Sequence, residues 1–275
     1  MGSYCIARSL LDSPYLDPHV AEVYGRLAAP AQFAEPARAL VAAVDPPEGS
    51  TVLDVGTGTG IVAAELGRAV GSHGRVIGID PSIEMLRRGR GERVAVAQAP
   101  GLPFRGGTFA AATASFVLSH LDRYEQALAD MAGVCRPGGR IGITAWGTAA
   151  NPAGALWKTV AAAYVAADRL ADEFRRVIPS EAPLSDAAHL ELVLRRVGLA
   201  AVRAIRHEFT VNVSALHYVA MKNATVEGIL LQRMLTPDRW DAFTREVADA
   251  FRREFGATVL YVRDFLVAIG SKPDC

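Results

Sequence analysis

Val52-Leu53-Asp54-Val55-Gly56-Thr57-Gly58-Thr59-Gly60 is the stretch that decides the fold. Its first four residues form a short apolar run that suits a buried strand. A turn with glycine at every second position follows, and Ile61-Val62-Ala63-Ala64-Glu65-Leu66-Gly67 continues it as a helix. Glycines at 56, 58 and 60 let the backbone bend sharply and approach a bound molecule, because no Cβ stands in the way. The helix start beyond them offers N–H groups without intrahelical partners. Asp54 falls at the carboxyl end of the strand, where open α/β sheets bind nucleotides.

Two cofactor readings meet on this stretch. Gly58-Thr59-Gly60-Ile61-Val62-Ala63 fits the dinucleotide pattern G-x-G-x-x-G/A, and Asp80, 20 residues past Gly60, stands where a ribose-binding acid is expected. The whole run, acid-x-Gly-x-Gly-x-Gly, resembles the first motif of class I S-adenosylmethionine-dependent methyltransferases. Electrostatics favours the second reading. An acid before the glycines attracts a cationic amine and sulfonium, whereas it repels a pyrophosphate.

Further segments carry the resemblance. Gln98-Ala99-Pro100-Gly101-Leu102-Pro103-Phe104 is similar to the family's D-A-x-x-L-P-F segment, with Gln98 where Asp is usual. Arg136-Pro137-Gly138-Gly139 precedes the apolar run Ile141–Trp146 and is a second family mark. Ala110 stands where the family usually has Asp. The resemblance is strong over residues 51–147 and architectural beyond. It implies S-adenosyl-L-methionine as cofactor, held by Asp54, Gly56, Thr57, Gly58, Gly60, Asp80, Pro81, Met85, Gln98, Ala99, Ser115 and Phe116. In that set Asp80 takes the ribose hydroxyls, Met85 lies against adenine and Asp54 serves the amine end. Capping a helix is the structural alternative for Asp80.

From Thr51 onward strands and helices alternate, the signature of a doubly wound α/β fold with a mostly parallel sheet. Strands are expected at Val52–Val55, Arg75–Asp80, Val94–Ala97, the run from Thr108 to Ser115, Ile141–Trp146, Val202–Val213 and Thr258–Gly270, seven in all. The chain reads as a single domain in four parts: an N-terminal helical lid (1–50), a cofactor-binding core (51–147), a helical cap insertion (148–185) and a C-terminal part completing the sheet with substrate-side helices (186–275). Residues 1–17 read as irregular, with Tyr4 and Tyr15 prominent. Helices are expected near His19–Leu27 and Ala31–Val44, then from Asp122 to about Cys135, closed by the R-P-G-G turn. Arg87, Arg88, Arg90 and Arg93 read as a solvated helix end more readily than as a phosphate patch.

Composition narrows the partners. The 275 residues carry 29 basic and 29 acidic side chains and are 51% hydrophobic. This balance gives no field that would draw the protein to nucleic acid or an anionic membrane. Asn/Asp-Pro-Pro-Tyr/Phe is absent at strand four, where amino-methylating nucleic-acid enzymes carry it, and Ser115-Phe116-Val117-Leu118 stands there instead. Cys5, Cys135 and Cys275 show no metal-ligand or redox spacing. A reducing, cytoplasmic setting is therefore expected, without signal peptide, membrane span or metal.

Methyl transfer is an in-line displacement that depends chiefly on alignment and exclusion of water. A base helps where the acceptor must lose a proton. His120, five residues after Ser115, is the first candidate, with a turn-stabilising role as its alternative. His217, after strand six, is the second. His73 and His189 read as bystanders. Tyr24, Trp146, Tyr218 and Met221 are candidate substrate contacts, although helix packing and core formation explain such residues equally well. An apolar wall of this kind suits a small hydrophobic acceptor. A dehydrogenase, a methyltransferase-fold enzyme of non-methylating chemistry and a donor-binding scaffold remain as alternatives.

Overall fold

A computed structural model describes residues 14–89 and 93–274; Tyr4, Cys5, Arg90 and Cys275 lie outside them. Seven strands form one sheet: β1 (Thr51–Val55), β2 (Arg75–Asp80), β3 (Val94–Val96), β4 (Phe109–Ser115), β5 (Cys135–Trp146), β6 (Ala200–Ser214) and β7 (Thr258–Ser271). Their order is β3-β2-β1-β4-β5-β7-β6. The first five are parallel, and β7 runs antiparallel to both β5 and β6. Because β1 and β4 are covered on both faces, Leu53, Val55, Ala111 and Ala112 are almost wholly buried. Such strands read as continuous apolar runs, without the alternation of a half-exposed sheet.

Helices cover the two faces. On one, Leu40 and Val44 of α2 (Ala34–Val44) and Leu66 and Val70 of α3 (Ile61–Val70) pack on Val52 and Val267. On the other, Leu128 and Met131 of α5 (Tyr124–Val134) join Leu190 and Leu194 of α9 (Ala187–Arg196) against Leu53 and Ile141. The short helices α1 (Pro18–Val23), α4 (Ile83–Arg88) and α8 (Glu181–Leu184) lie between the longer ones in sequence. Helix starts follow the capping residues: Asp17 caps α1, Ser82 caps α4 and Asp186 caps α9, each accepting from a backbone N–H in the first turn.

A third cluster stands off the sheet. It joins α6 (Pro152–Ala162), α7 (Ala167–Val177), α10 (Ala215–Asn223), α11 (Val226–Met234) and α12 (Pro237–Phe255) around Trp157, Leu230, Phe243 and Phe251. This helical cluster is therefore composite. Helices on the 148–185 side share one core with helices from 215–255, which the sequence separates by α9 and β6.

The strands β6 and β7 outrun the sheet. β7 pairs with β5 only from Phe265 to Ser271, whereas Thr258–Asp264 pairs with β6 alone. This two-stranded arm projects past the carboxyl end of β5 and joins the third cluster through Val211, Val259 and Tyr261. Asp264 anchors its base. Its carboxylate is buried, pairs with Arg206, and accepts from the amides of Thr148 (3.2 Å) and Ala149 (2.8 Å).

Three element boundaries differ from the sequence reading. Strand five begins at Cys135, so the R-P-G-G segment lies inside it as an irregular start, with a register shift between Phe109 and Ala111. Gly138 there adopts φ +71°, and its amide pairs with the Lys272 carbonyl. The second N-terminal helix begins at Ala34 because residues Tyr24–Phe33, which contain Pro30, wind as a π-helix. Leu118–His120 forms a 3-10 turn, and the helix expected from Asp122 starts at Tyr124.

Gly142 lies where α2 crosses β5, and an added Cβ would sit 2.2 Å from Val44 Cγ2 and 2.9 Å from Leu40 Cδ1. Gly142→Ala should destabilise the protein by about 1–3 kcal/mol through overpacking. Denaturant unfolding would measure this, and an unchanged midpoint would mean that the α2 layer has room to move.

Candidate functional site

The carboxyl ends of β1 and β4 are neighbours, but their chain connections leave in opposite directions, and a cavity of about 290 Å³ opens there. Such switch points are where open α/β sheets bind ligands. The glycine turn forms one wall. Gly56, Gly58 and Gly60 all take positive φ, at +66°, +56° and +84°. A side chain at Gly56 would drive a Cβ to 2.3 Å from Val117 Cγ2, so both conformation and space require glycine.

Asp80 holds this turn to the next strand. Its Oδ2 accepts from the Gly58 amide (2.9 Å) and its Oδ1 from the Ser82 amide (2.8 Å). Burial raises the pKa of its carboxyl against these two bonds. A carboxylate has about four lone-pair sites, so two remain for hydroxyls of a ligand. Ser82 Oγ caps α4 through the Met85 amide and donates to the Tyr15 carbonyl (2.6 Å), which fastens the N-terminal segment over this corner. Met85 lies against the turn, its Cε 3.2 Å from where a Gly58 Cβ would be.

Asp54 is placed differently. It is 1% exposed and lies beneath the turn, away from the cavity lining. Thr113 donates to its Oδ1 (2.8 Å), while Oδ2 has no hydrogen-bond partner among the described residues. Burial pushes its carboxyl up to about 6, partly offset by hydroxyl and backbone donors.

The opposite wall is aromatic. Phe116 adopts φ +57°, an uncommon conformation for a bulky residue, and is fixed there by its amide on the Thr144 carbonyl (3.1 Å). Its ring stacks on Trp146 at 4.0 Å, and Phe33 meets both edge-on. From Phe33 the contacts pass to Tyr24, then Tyr15, then His120, each pair 5.3–5.8 Å between ring centres. Tyr24, Ala28, Gln32 and Phe33 reach the cavity from the π-helix. That winding is uncommon and recurs at functional sites.

Most of the expected residues meet here. Gly56, Thr57, Gly58, Asp80, Pro81, Met85, Gln98, Ala99, Ser115 and Phe116 line the cavity, together with Tyr24, Trp146, Tyr218 and His120. Four do not. Asp54 and Gly60 support the turn from below and behind, Gly60 as the residue before α3. Met221 is fully buried behind Gln32, whose Nε2 contacts its sulfur at 2.9 Å. His217 lies outside the cavity lining, a correction to its reading as a second base: its amide donates to the α10 cap Ser214 Oγ, and its Nε2 is buried with no hydrogen-bond partner among the described residues. Of the other histidines, His189 bonds Tyr124 Oη (3.0 Å) and His207 stacks on Phe265. Arg87 and Arg88 pair with Glu84, as a solvated helix end would.

Several lining residues escaped the sequence reading. Tyr261 and Arg263 come from the β6–β7 arm, Gln32 from the π-helix, Asn151 and Glu181 from the cap, and Lys222 and Glu227 from helices after β6. Lys222 and Lys158 both pair with Glu227, the latter at 3.0 Å, which holds that carboxyl low, at about 2, despite its burial. A hint lay in the alternation Leu260-Tyr261-Val262-Arg263, which puts Tyr261 and Arg263 on one face of a strand.

The comparisons agree with this architecture. Residues 52–139 match the model of a methyltransferase domain. A demethylmenaquinone methyltransferase of Corynebacterium kroppenstedtii is 38% identical over 111 residues, 40% of this chain and 47% of that protein. The chain thus spans about half the length of the curated relatives it matches. Among solved structures, a putative methyltransferase from an antibiotic biosynthesis pathway of Anabaena variabilis superposes with a TM-score of 0.60 at 14% identity, over 85% of this chain and 96% of that one. Phosphoethanolamine N-methyltransferase 2 of Haemonchus contortus, in complex with S-adenosyl-L-methionine, gives 0.59 at 14% identity, over 97% and 60%. Over residues 52–139 the chain is thus similar to methyltransferase domains, and its fold is shared with S-adenosylmethionine-dependent methyltransferases of known structure.

His120 faces the cavity, and burial lowers its pKa to about 4. Its folded pKa lies below the unfolded value of about 6.5, so the unfolded state binds the extra proton first. The stability linked to neutral His120 is present above pH 6.5 and is lost as pH falls from 6.5 towards 4. His120→Gln should flatten the fall in unfolding free energy over that window, measured by denaturant titration at several pH values.

Proposed function

We propose that the protein transfers a methyl group from S-adenosylmethionine to a small, largely apolar acceptor. The observation that carries the reading is the Asp80 carboxylate clasping the Gly58 amide at the mouth of a cavity whose far wall is aromatic. The residues fit the donor. Asp80 retains acceptor capacity for two ribose hydroxyls, Met85 and Ala99 offer an apolar slot for adenine, and Gln98 presents an amide beside it. Asp54, with an unpartnered buried oxygen, supplies negative charge beneath the turn for a cationic amine. When bound, the donor supplies an activated methyl carbon, and the chain supplies the rest. Phe116, Phe33 and Trp146 exclude water and set the acceptor plane.

His120 is the base of this reading. Burial keeps the ring neutral at physiological pH, which leaves one ring nitrogen unprotonated, and the same burial weakens its basicity. Residues 14–50 act as a lid and the composite helical cluster as a cap over the acceptor. The acceptor class follows from the cavity wall; the quinone chemistry named for the relatives belongs to proteins matched over 40% of this chain. No helix among the described residues is long and apolar enough to cross a membrane. The cytoplasmic setting in this reading rests on the sparse cysteines, of which Cys135 is a buried free thiol.

Calorimetric titration with S-adenosylmethionine and, separately, NADH tests the reading. Binding of the methyl donor alone is expected, and the reverse would overturn it. Asp80→Ala should weaken donor binding by about tenfold or more, the loss expected when a charged hydrogen-bond acceptor is removed. With an acceptor in hand, product mass should rise by the mass of one methylene; an unchanged mass would point to rearrangement chemistry on the same fold. His120→Ala should lower turnover with donor affinity kept, whereas equal losses in both would make it a binding residue.

A further inference from the structure

One end of the cavity is polar, and nothing in the donor reading uses it. Tyr261 and Arg263, on one strand face of the β6–β7 arm, and Glu181, at the start of α8, all line it. The Tyr261 side chain is buried, at 6% exposure, yet its hydroxyl has no hydrogen-bond partner among the described residues. A buried hydroxyl left unpaired costs free energy that a bound partner recovers. The Arg263 guanidinium lies flat on Trp146, 3.4 Å from its ring centre, and gives one N–H to Gln32 Oε1. Four of its five N–H groups have no partner among the described side chains. The Glu181 carboxylate has no hydrogen-bond or ion-pair partner among the described residues; burial and Glu227 raise its pKa, while Arg263, Lys222 and Lys158 act on it in the opposite sense.

Neighbouring groups are already committed. Lys222 and Lys158 are both paired with Glu227, and Tyr218 Oη accepts from Asn151 Nδ2 at 3.3 Å. Two donors and one acceptor are left, around a space beside an aromatic wall. A carboxylate would satisfy Tyr261 and Arg263 but would stand against Glu181. An ether oxygen would leave Glu181 unanswered. A hydroxyl satisfies all three, accepting from Tyr261 and Arg263 and donating to Glu181. The stack of Trp146 on Phe116 places a flat ring naturally alongside.

We propose that Tyr261, Arg263 and Glu181 form an acceptor subsite for an aromatic hydroxyl, so that the methyl acceptor is a phenol with an apolar body. This rests on the methyltransferase reading and specifies its substrate class. Arg263 has two tasks there, since the guanidinium that meets the hydroxyl also fixes the Trp146 ring.

The test is binding of 4-phenylphenol, its methyl ether and 4-phenylbenzoate to the full chain, by calorimetry, with and without S-adenosylhomocysteine. The phenol should bind about tenfold more tightly than the ether, the discrimination expected of a buried polar site. Tyr261→Phe, which removes one oxygen and keeps the ring, should bring the phenol within about threefold of the ether. Arg263→Met should do the same, and both variants should keep the wild-type affinity for S-adenosylhomocysteine. Equal binding of phenol and ether, absence of phenol binding, or preference for the benzoate each overturns the phenol assignment. Loss of S-adenosylhomocysteine binding by the wild-type protein would instead overturn the donor reading, while a phenol preference seen in its absence would leave the subsite standing.

Discussion

The site depends on one carboxylate. Asp80 ends β2, and its two oxygens accept from amides on separate loops: Gly58 in the turn after β1 and Ser82 before α4. Each bond satisfies an N–H that a tight turn or a helix start would otherwise leave unpaired. The Ser82 hydroxyl carries the connection on to Tyr15, so the N-terminal segment is registered to the glycine turn through one continuous chain of hydrogen bonds. Burial works against the ionised form of Asp80, and the two amides offset that cost. The geometry of the cofactor side is thus set before any ligand arrives.

The proposed acceptor side is built on a different principle. Its wall is a succession of side-chain contacts running from Arg263 through Trp146, Phe116, Phe33, Tyr24 and Tyr15 to His120. These groups come from β5, β7, the segment after β4 with its 3-10 turn, the π-helix and the N-terminal segment, so no single element defines the wall. Phe116 is its fixed point. A bulky residue in the left-handed region costs energy, and the Thr144 contacts together with the Trp146 stack keep it there.

Legibility in the sequence follows the same division. The glycine turn was readable because its backbone requires glycine beside a strand end, and Asp80, Met85, Gln98 and Phe116 because the family resemblance marks those positions. The seven strands were readable for a related reason: parallel strands buried on both faces leave uninterrupted apolar runs. Tyr261, Arg263 and Glu181 were not, since their role arises from an arm and a helix brought together across 80 residues of chain. His217 and Met221 show the converse. Both sit on the correct side of the sheet in sequence terms, but His217 is not among the cavity-lining residues and Met221 lies behind Gln32. The π-helix was illegible because Pro30 and its alanine neighbours fit an ordinary helix end equally well. The R-P-G-G segment was read as a turn closing a helix because glycine and proline usually end helices, whereas here they shape an irregular strand start.

The overhang of β6 and β7 makes the polarity of the acceptor site a matter of parity. Leu260 and Val262 point outward, 64% and 46% exposed, while Tyr261 and Arg263 alternate with them inward. Beyond Phe265 no third strand checks this alignment. A single inserted or deleted residue in the arm would exchange the two sets, presenting an aliphatic surface to the acceptor and a tyrosine and an arginine to water. The parallel sheet and the glycine turn would be untouched. One indel in a two-stranded ribbon is therefore enough to convert a hydrogen-bonding pocket into a greasy one, which gives this scaffold a short evolutionary path between acceptors of opposite character.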